Sequence, residues 1–373
     1  MDTVEHVDTV VVGAGQAGLV TARELTLRGR ECLVVDRAAR VGDGWRQQYD
    51  SLRLYTPGRY TSLPGLRFPG NPDECPGKDE VADYLEAYAR HCEVPLRLRT
   101  GVDRVARAAD GTDGFDVTTS RGTIRCRNVV VATGTFGRTP AVPEWAGDLD
   151  PDILQLHSSS YRRPGQLRDG PVLVVGASHS GCDIALELAA DRTTHLAGRD
   201  CGQLPARWRG RRAPGALPLM VFAWKHVLTR STPMGRRMMP EVRGHGGPML
   251  RVKRSDLAAA GVVRHLDRVE SVTRGRPTLA DGTVLDVANV VWATGFRQQF
   301  GWLDLPVVGD DGWPREYRGV SDDVPGLYFC GLAFQYAFSS MVLPGVGRDA
   351  AYVADHLVRH RSTDPVRDRA RAA

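Results

Sequence analysis

Two stretches of this 373-residue sequence carry small residues at the spacing that lets a backbone turn approach a pyrophosphate. Gly13, Gly15 and Gly18 form one Gly-x-Gly-x-x-Gly string, with Gln16 and Ala17 inside it. Gly176, Ser178 and Gly181 form the second, with Ser180 inside it and a serine in the middle glycine's place. The same interval from the first glycine of each string reaches Asp36 in one case and Arg199 in the other. A carboxylate there accepts hydrogen bonds from both hydroxyls of a ribose, whereas a guanidinium pairs with a 2′-phosphate. Each string is followed, after a similar stretch, by Ala-Thr-Gly: Ala132-Thr133-Gly134 and Ala293-Thr294-Gly295. One chain is therefore expected to hold two dinucleotides: the ADP half of FAD at Asp36 and NADPH at Arg199. Arg37, Gly44, Trp45 and Val102 complete the residues assigned to the first nucleotide.

The elements that must place these residues follow from local pattern. The run Thr9–Val12 reads as a buried strand, and Gln16–Arg28 as the helix whose positive end receives the phosphates. A second strand is expected at Glu31–Val35. Apolar spacing predicts a helix over Lys78–His91, with Val81, Leu85 and Tyr88 on one face. Short strands are expected at 94–98, 102–107, 115–119 and 122–126, then a buried strand at Val129–Ala132. Between the helices runs a long loop, Val41–Pro76, containing Trp45, Tyr49, Tyr55, Tyr60 and Phe68; loops of that length usually carry function. The second string follows Val172–Val175 in the same way. The fold expected is α/β, with two Rossmann-like dinucleotide-binding domains of the glutathione-reductase-like kind. An FAD domain of residues 1–160 and 296–361 is interrupted by an NADPH domain at 165–295, and 362–373 form a frayed tail. The apolar stretch Leu217–Leu228 is expected to be a helix packed on the core.

Composition removes other classes. The chain is 42% apolar and 25% charged, as in ordinary globular proteins. No run approaches the roughly 20 apolar residues of a membrane span, and a cytoplasmic protein is expected. The net charge of +5 does not point to nucleic acid, because no reading module accompanies it. The densest basic cluster, Arg207, Arg209, Arg211 and Arg212, is either a solvated loop or a platform for NADPH phosphates. Seven cysteines form no Cys-x-x-Cys pair, which argues against a dithiol reductase, and no histidine has metal-ligand spacing. No metal is expected.

The sequence resembles the class B flavin-dependent monooxygenases: flavin-containing monooxygenases, plant YUCCA-type enzymes and bacterial CzcO-like relatives. The resemblance spans nearly the whole length. It rests on the two strings, Gly44-Trp45, the segment Tyr49–Pro57, Ala293–Phe296, Gly331-Leu332 and Gly345–Ala350. Trp145-Ala146-Gly147 and His157–Tyr161 match the two halves of the family's linker signature, at a longer spacing. Tyr55 stands where the amine-oxidising branch places an asparagine near the flavin, so the YUCCA-type branch is nearer, and the resemblance makes Trp45 and Tyr55 the candidates for facing the flavin ring. The resemblance implies NADPH-dependent FAD monooxygenation through a C4a-peroxyflavin, with one atom of O2 passing to a small organic substrate. NADP⁺ held at Arg199 and Ser178 would help shelter that intermediate. The alternatives are an NADPH-dependent flavin oxidoreductase passing electrons to a quinone, a partner or O2 without oxygenation, and a non-catalytic redox sensor. A homodimer is left open.

Overall fold

The computed structural model describes residues 4–135, 139–204 and 215–361. The basic cluster at 207–212 and the tail at 362–373 lie outside the described residues.

The first unit is built on a sheet whose centre is parallel. Strand β1 (Glu5–Val12) lies between β2 (Cys32–Val35) and β3 (Gly122–Val131). Helix α1 (Gln16–Leu27) connects β1 to β2, starting and ending within a residue of the pattern's limits. The two strands expected at 122–126 and Val129–Ala132 are one continuous strand, β3; it pairs parallel with β1 from Ile124 to Val131, and its first half pairs antiparallel with Phe115–Thr119 on the other side. Helix α2 (Lys78–His91) has the expected bounds, with Val81, Leu85 and Tyr88 fully buried. Val10, Val11, Val129 and Val130 have no exposed surface. Each such side chain contributes about 1.5–3 kcal/mol of burial, which pins the strand ends from which the turns project.

The second unit repeats the plan in a five-stranded parallel sheet. Its order is Val263–His265, Thr194–Ala197, Val172–Val175, Asn289–Trp292, Leu154–His157. Strand β4 (Val172–Val175) leads to α3 (His179–Leu188) and then β5 (Thr194–Ala197). Leu154–His157 falls within the stretch the sequence assigned to the first domain, yet it is the edge strand of the second sheet. The chain crosses between units twice, and the crossings pair: Thr139–Pro140 runs antiparallel to Phe296–Arg297. After the second crossing, Leu327–Phe329 joins β3 in the first sheet, and α4 (Leu343–Arg361) packs on α1.

The 217–228 stretch only partly meets expectation. Leu217–Phe222 is helical and followed by a wider turn at Ala223–Val227. Leu217 and Val221 are buried, but Leu219 and Phe222 are 72% and 56% exposed.

Two glycine turns and their surroundings

The turn after β1 shows why its glycines sit where they do. Gly13 has φ +109°, and a Cβ there would lie 2.7 Å from the Ala132 carbonyl oxygen. A Cβ at Gly18 would lie 1.8 Å from the Gly13 carbonyl oxygen. Those two are fixed by the protein itself. Gly15 is different: its φ is −78°, open to any residue, and a Cβ would meet nothing within 4 Å. The space before Gly15 is kept clear beside the start of α1, whose first-turn N–H groups have no intrahelical acceptors. That is a cradle for a phosphate.

Asp36 follows directly on β2 and clasps the turn. Its Oδ2 accepts from the Ala14 N–H at 2.6 Å and its Oδ1 from the Ala38 N–H at 2.7 Å. Each oxygen keeps a further lone pair for a ribose hydroxyl. The Thr133 hydroxyl is buried without a partner, beside Gly134 at φ +75°. Orphaned buried groups of this kind fit a site that a bound molecule completes.

The second turn repeats the backbone contacts of the first. The Gly13 N–H donates to the Val35 oxygen at 2.8 Å, and the Gly176 N–H to the Ala197 oxygen at 2.8 Å. A Cβ at Gly176 would lie 2.4 Å from the Ala293 oxygen, and one at Gly181 1.7 Å from the Gly176 oxygen. The Thr294 hydroxyl is likewise buried and unpartnered, beside Gly295 at φ +80°.

The register corrects the sequence alignment of the two copies. Val12 pairs with Val35, and Val175 with Ala197. The residue after each strand is therefore Asp36 in one unit and Gly198 in the other, because the second helix and connector are one residue shorter. Arg199, exposed, corresponds to Arg37 rather than to Asp36. Gly198, at φ +132°, lies against Gly176 and Ala177 where Asp36 grips Ala14. An acid is thus absent at the ribose position and a cation stands one residue beyond it.

Ser178 fills the place that Gly15 leaves clear. Its hydroxyl donates to the Gly247 carbonyl at 2.9 Å, and His179 Nε2 bonds the Pro248 carbonyl at 2.8 Å. That 246–248 reach this turn is not legible in the sequence, since no short-range pattern links segments so far apart.

The long loop joins the two sites. The Tyr49 hydroxyl donates to Asp183 Oδ2 at 3.1 Å, and Arg251 Nη2 approaches the same oxygen at 3.2 Å. Burial pushes the Asp183 carboxyl up despite Arg251. The Tyr55 ring lies 5.1 Å from that of His179, at the start of α3. Burial holds the Tyr55 phenol well above its ordinary value, so it stays a hydrogen-bond donor. Trp45 is half-buried against the first core, Gly44 and Arg37 are exposed, and Val102 opens a strand. His157 bonds the Gly295 carbonyl through Nε2 at 3.0 Å and Ser159 Oγ through Nδ1 at 2.8 Å. Burial depresses its pKa, which keeps it a neutral brace for the second triplet. All seven cysteines are free. Among the described residues no acidic, histidine or cysteine cluster fits a metal, and no helix is long and apolar enough to cross a membrane.

Two nucleotide turns on paired α/β units define a two-dinucleotide oxidoreductase. Residues 10–201 match the pyridine nucleotide-disulphide oxidoreductase family. A CzcO-like oxidoreductase of Geobacillus kaustophilus is 37% identical over 357 residues, covering 95% of this chain and 99% of the relative. The probable indole-3-pyruvate monooxygenase YUCCA9 of Arabidopsis thaliana is 28% identical, covering 93% and 88%. A double variant of the flavin monooxygenase from Stenotrophomonas maltophilia superposes with a TM-score of 0.75 at 25% identity, covering 95% and 99%. The chain belongs to this family, and within it to the class B flavin-dependent monooxygenases.

Proposed function

We propose that the chain is an NADPH-dependent, FAD-containing monooxygenase that transfers one atom of O2 to a small organic substrate. The second oxygen atom leaves as water, and NADPH supplies the two electrons. The asymmetry between the turns carries this reading: Asp36 suits an unphosphorylated ribose, while Gly198 followed by Arg199 suits a 2′-phosphate. FAD, when bound, supplies the redox and oxygen-activating chemistry. The first turn, with Gln16 and Ala17 at the helix start, receives its pyrophosphate, and Thr133 and Gly134 flank it. Thr294 and Gly295 flank NADPH. Residues 1–160 and 296–361 make up the FAD part and 165–295 the NADPH part, with Leu154–His157 going to the latter. Trp45 and Tyr55 exclude water where the two cofactors converge, and Tyr55 offers its phenolic proton there.

Two measurements test this. Mixing the reduced holoenzyme with O2 in a stopped-flow instrument should give an absorbance transient distinct from oxidised and reduced flavin, and that transient should decay faster with substrate. Direct return to oxidised flavin would instead favour an oxidase. Arg199→Ala should raise the KM for NADPH about 10- to 100-fold, as loss of a charge-assisted contact of about 1.5–3 kcal/mol predicts, and leave that for NADH nearly unchanged. Equal effects on both would remove the 2′-phosphate assignment.

A further inference from the structure

The segment after Gly244 has an unusual pair of attachments. Met249 is buried, donates its N–H to the Gly202 carbonyl at 2.9 Å and accepts from the Leu204 N–H at 3.1 Å. Arg251 is tied to Asp183. On the other side, the His245 N–H closes the preceding helix on the Glu241 carbonyl at 2.9 Å. Between these fixed ends, Gly246, Gly247 and Pro248 reach the second turn through two side-chain bonds, from Ser178 and from His179. The approach is close. A Cβ on Gly246 would lie 2.6 Å from the Ser178 Cβ, and one on Gly247 3.0 Å from the His179 ring. Among the described residues, no atom lies within 4 Å of a Cβ placed on Gly15.

A hydroxyl carries one proton and donates to one acceptor at a time. In this structure the Ser178 proton is given to an amide carbonyl. A phosphate oxygen arriving at the same turn is charged, and bonds to ionised acceptors are about twice as strong as neutral ones. We propose that Gly246–Pro248 is a strap over the second turn, displaced when the pyrophosphate of an incoming nicotinamide dinucleotide takes over the Ser178 hydroxyl. This rests on the NADPH reading of that turn. Gly246 leaves no room for a side chain against Ser178, and Gly247 leaves little against His179. The anchors at Met249 and Arg251 make the movement a local swing, not an unfolding. Because Asp183 receives both Arg251 and Tyr49, the strap's root touches the same carboxylate as the long loop beside the first site.

Stopped-flow and calorimetric binding of NADP⁺ to the flavin-loaded enzyme and its variants test the strap. Gly246→Ala, whose added methyl pushes the strap off while keeping the Ser178 hydroxyl, should bind NADP⁺ about threefold to tenfold faster and tighter, the worth of one ordinary hydrogen bond. Ser178→Gly should speed association by a similar factor but gain no affinity, having lost its phosphate contact. A Gly246→Ala enzyme that binds no faster overturns the strap alone. No calorimetric binding of NADP⁺ or NADH overturns the strap and the nucleotide reading together.

Discussion

The two glycine turns share a backbone and differ in what surrounds it. In the first, Asp36 reaches back to the Ala14 N–H and the space before Gly15 is empty. In the second, Gly198 offers no side chain, Ser178 occupies the middle position, and the chain's own residues 246–248 lie against it. The common features are those demanded by packing a strand, a turn and a helix within van der Waals reach of the Ala-Thr-Gly backbone. On the proposed reading, the differences are those that choose a ligand and control its entry. A duplicated scaffold can thus hold one nucleotide as a resident cofactor and exchange another, with specificity set by a few side chains outside the repeated geometry.

The comparison can be broken most forcefully at the glycines themselves. Gly18→Ala and Gly181→Ala each put a methyl within 1.8 Å of a carbonyl oxygen, and overpacking of this severity costs about 1–3 kcal/mol or more. Gly18→Ala should yield protein that purifies without flavin. Gly181→Ala should keep its flavin and lose reduction by NADPH; flavin absorbance and anaerobic reduction rates read the two. Loss of flavin from both variants would show that the sites are not separable. Gly15→Ala sharpens the point: its methyl meets no protein atom, so thermal stability of the flavin-free protein should hold while flavin affinity falls.

Exchange of the ribose-position residues comes next. Gly198→Asp gives the second unit the acid of the first and should lower the NADPH-to-NADH ratio of kcat/KM about 10- to 100-fold, from loss or repulsion of a charge-assisted contact of about 1.5–3 kcal/mol. Asp36→Asn should weaken flavin binding without altering that ratio. An unchanged ratio in Gly198→Asp would refute the register-based correspondence.

Acid provides the smallest effect. Burial lowers the pKa of both His157 and His179 from the ordinary 6.5. A histidine held neutral contributes its full share above pH 6.5, and that share is lost as pH falls through the lowered folded-state value. No histidine lies within the first turn. Protection factors over 176–181, with the intrinsic pH dependence of exchange divided out, should therefore fall below pH 6.5 before those over 13–18 do. A simultaneous fall at both turns would contradict this account.

Much of this site is legible in the residues because its constraints are local. A Gly-x-Gly-x-x-Gly string after a valine run specifies strand, turn and helix, since the clashes that forbid other residues at Gly13 and Gly18 arise within or beside the same turn. Helix Lys78–His91 is equally plain from its apolar spacing. Counting along the chain went astray at Arg199 because helix and connector lengths trade against each other, and only the pairing of Val175 with Ala197 shows that Gly198 is the partner of Asp36. Leu154–His157 gave no sign of its sheet for a similar reason, as strand partners far along the chain are chosen by packing. By itself the sequence determined that two nucleotide turns exist and that one is acidic and the other basic, because those properties reside in neighbouring residues. Tertiary structure decided which residues oppose one another, that Tyr49 and Tyr55 of the long loop meet the second helix, and that Gly246–Pro248 covers Ser178. Those contacts are made across wide gaps in the chain, where burial and register select them and local preference has no say.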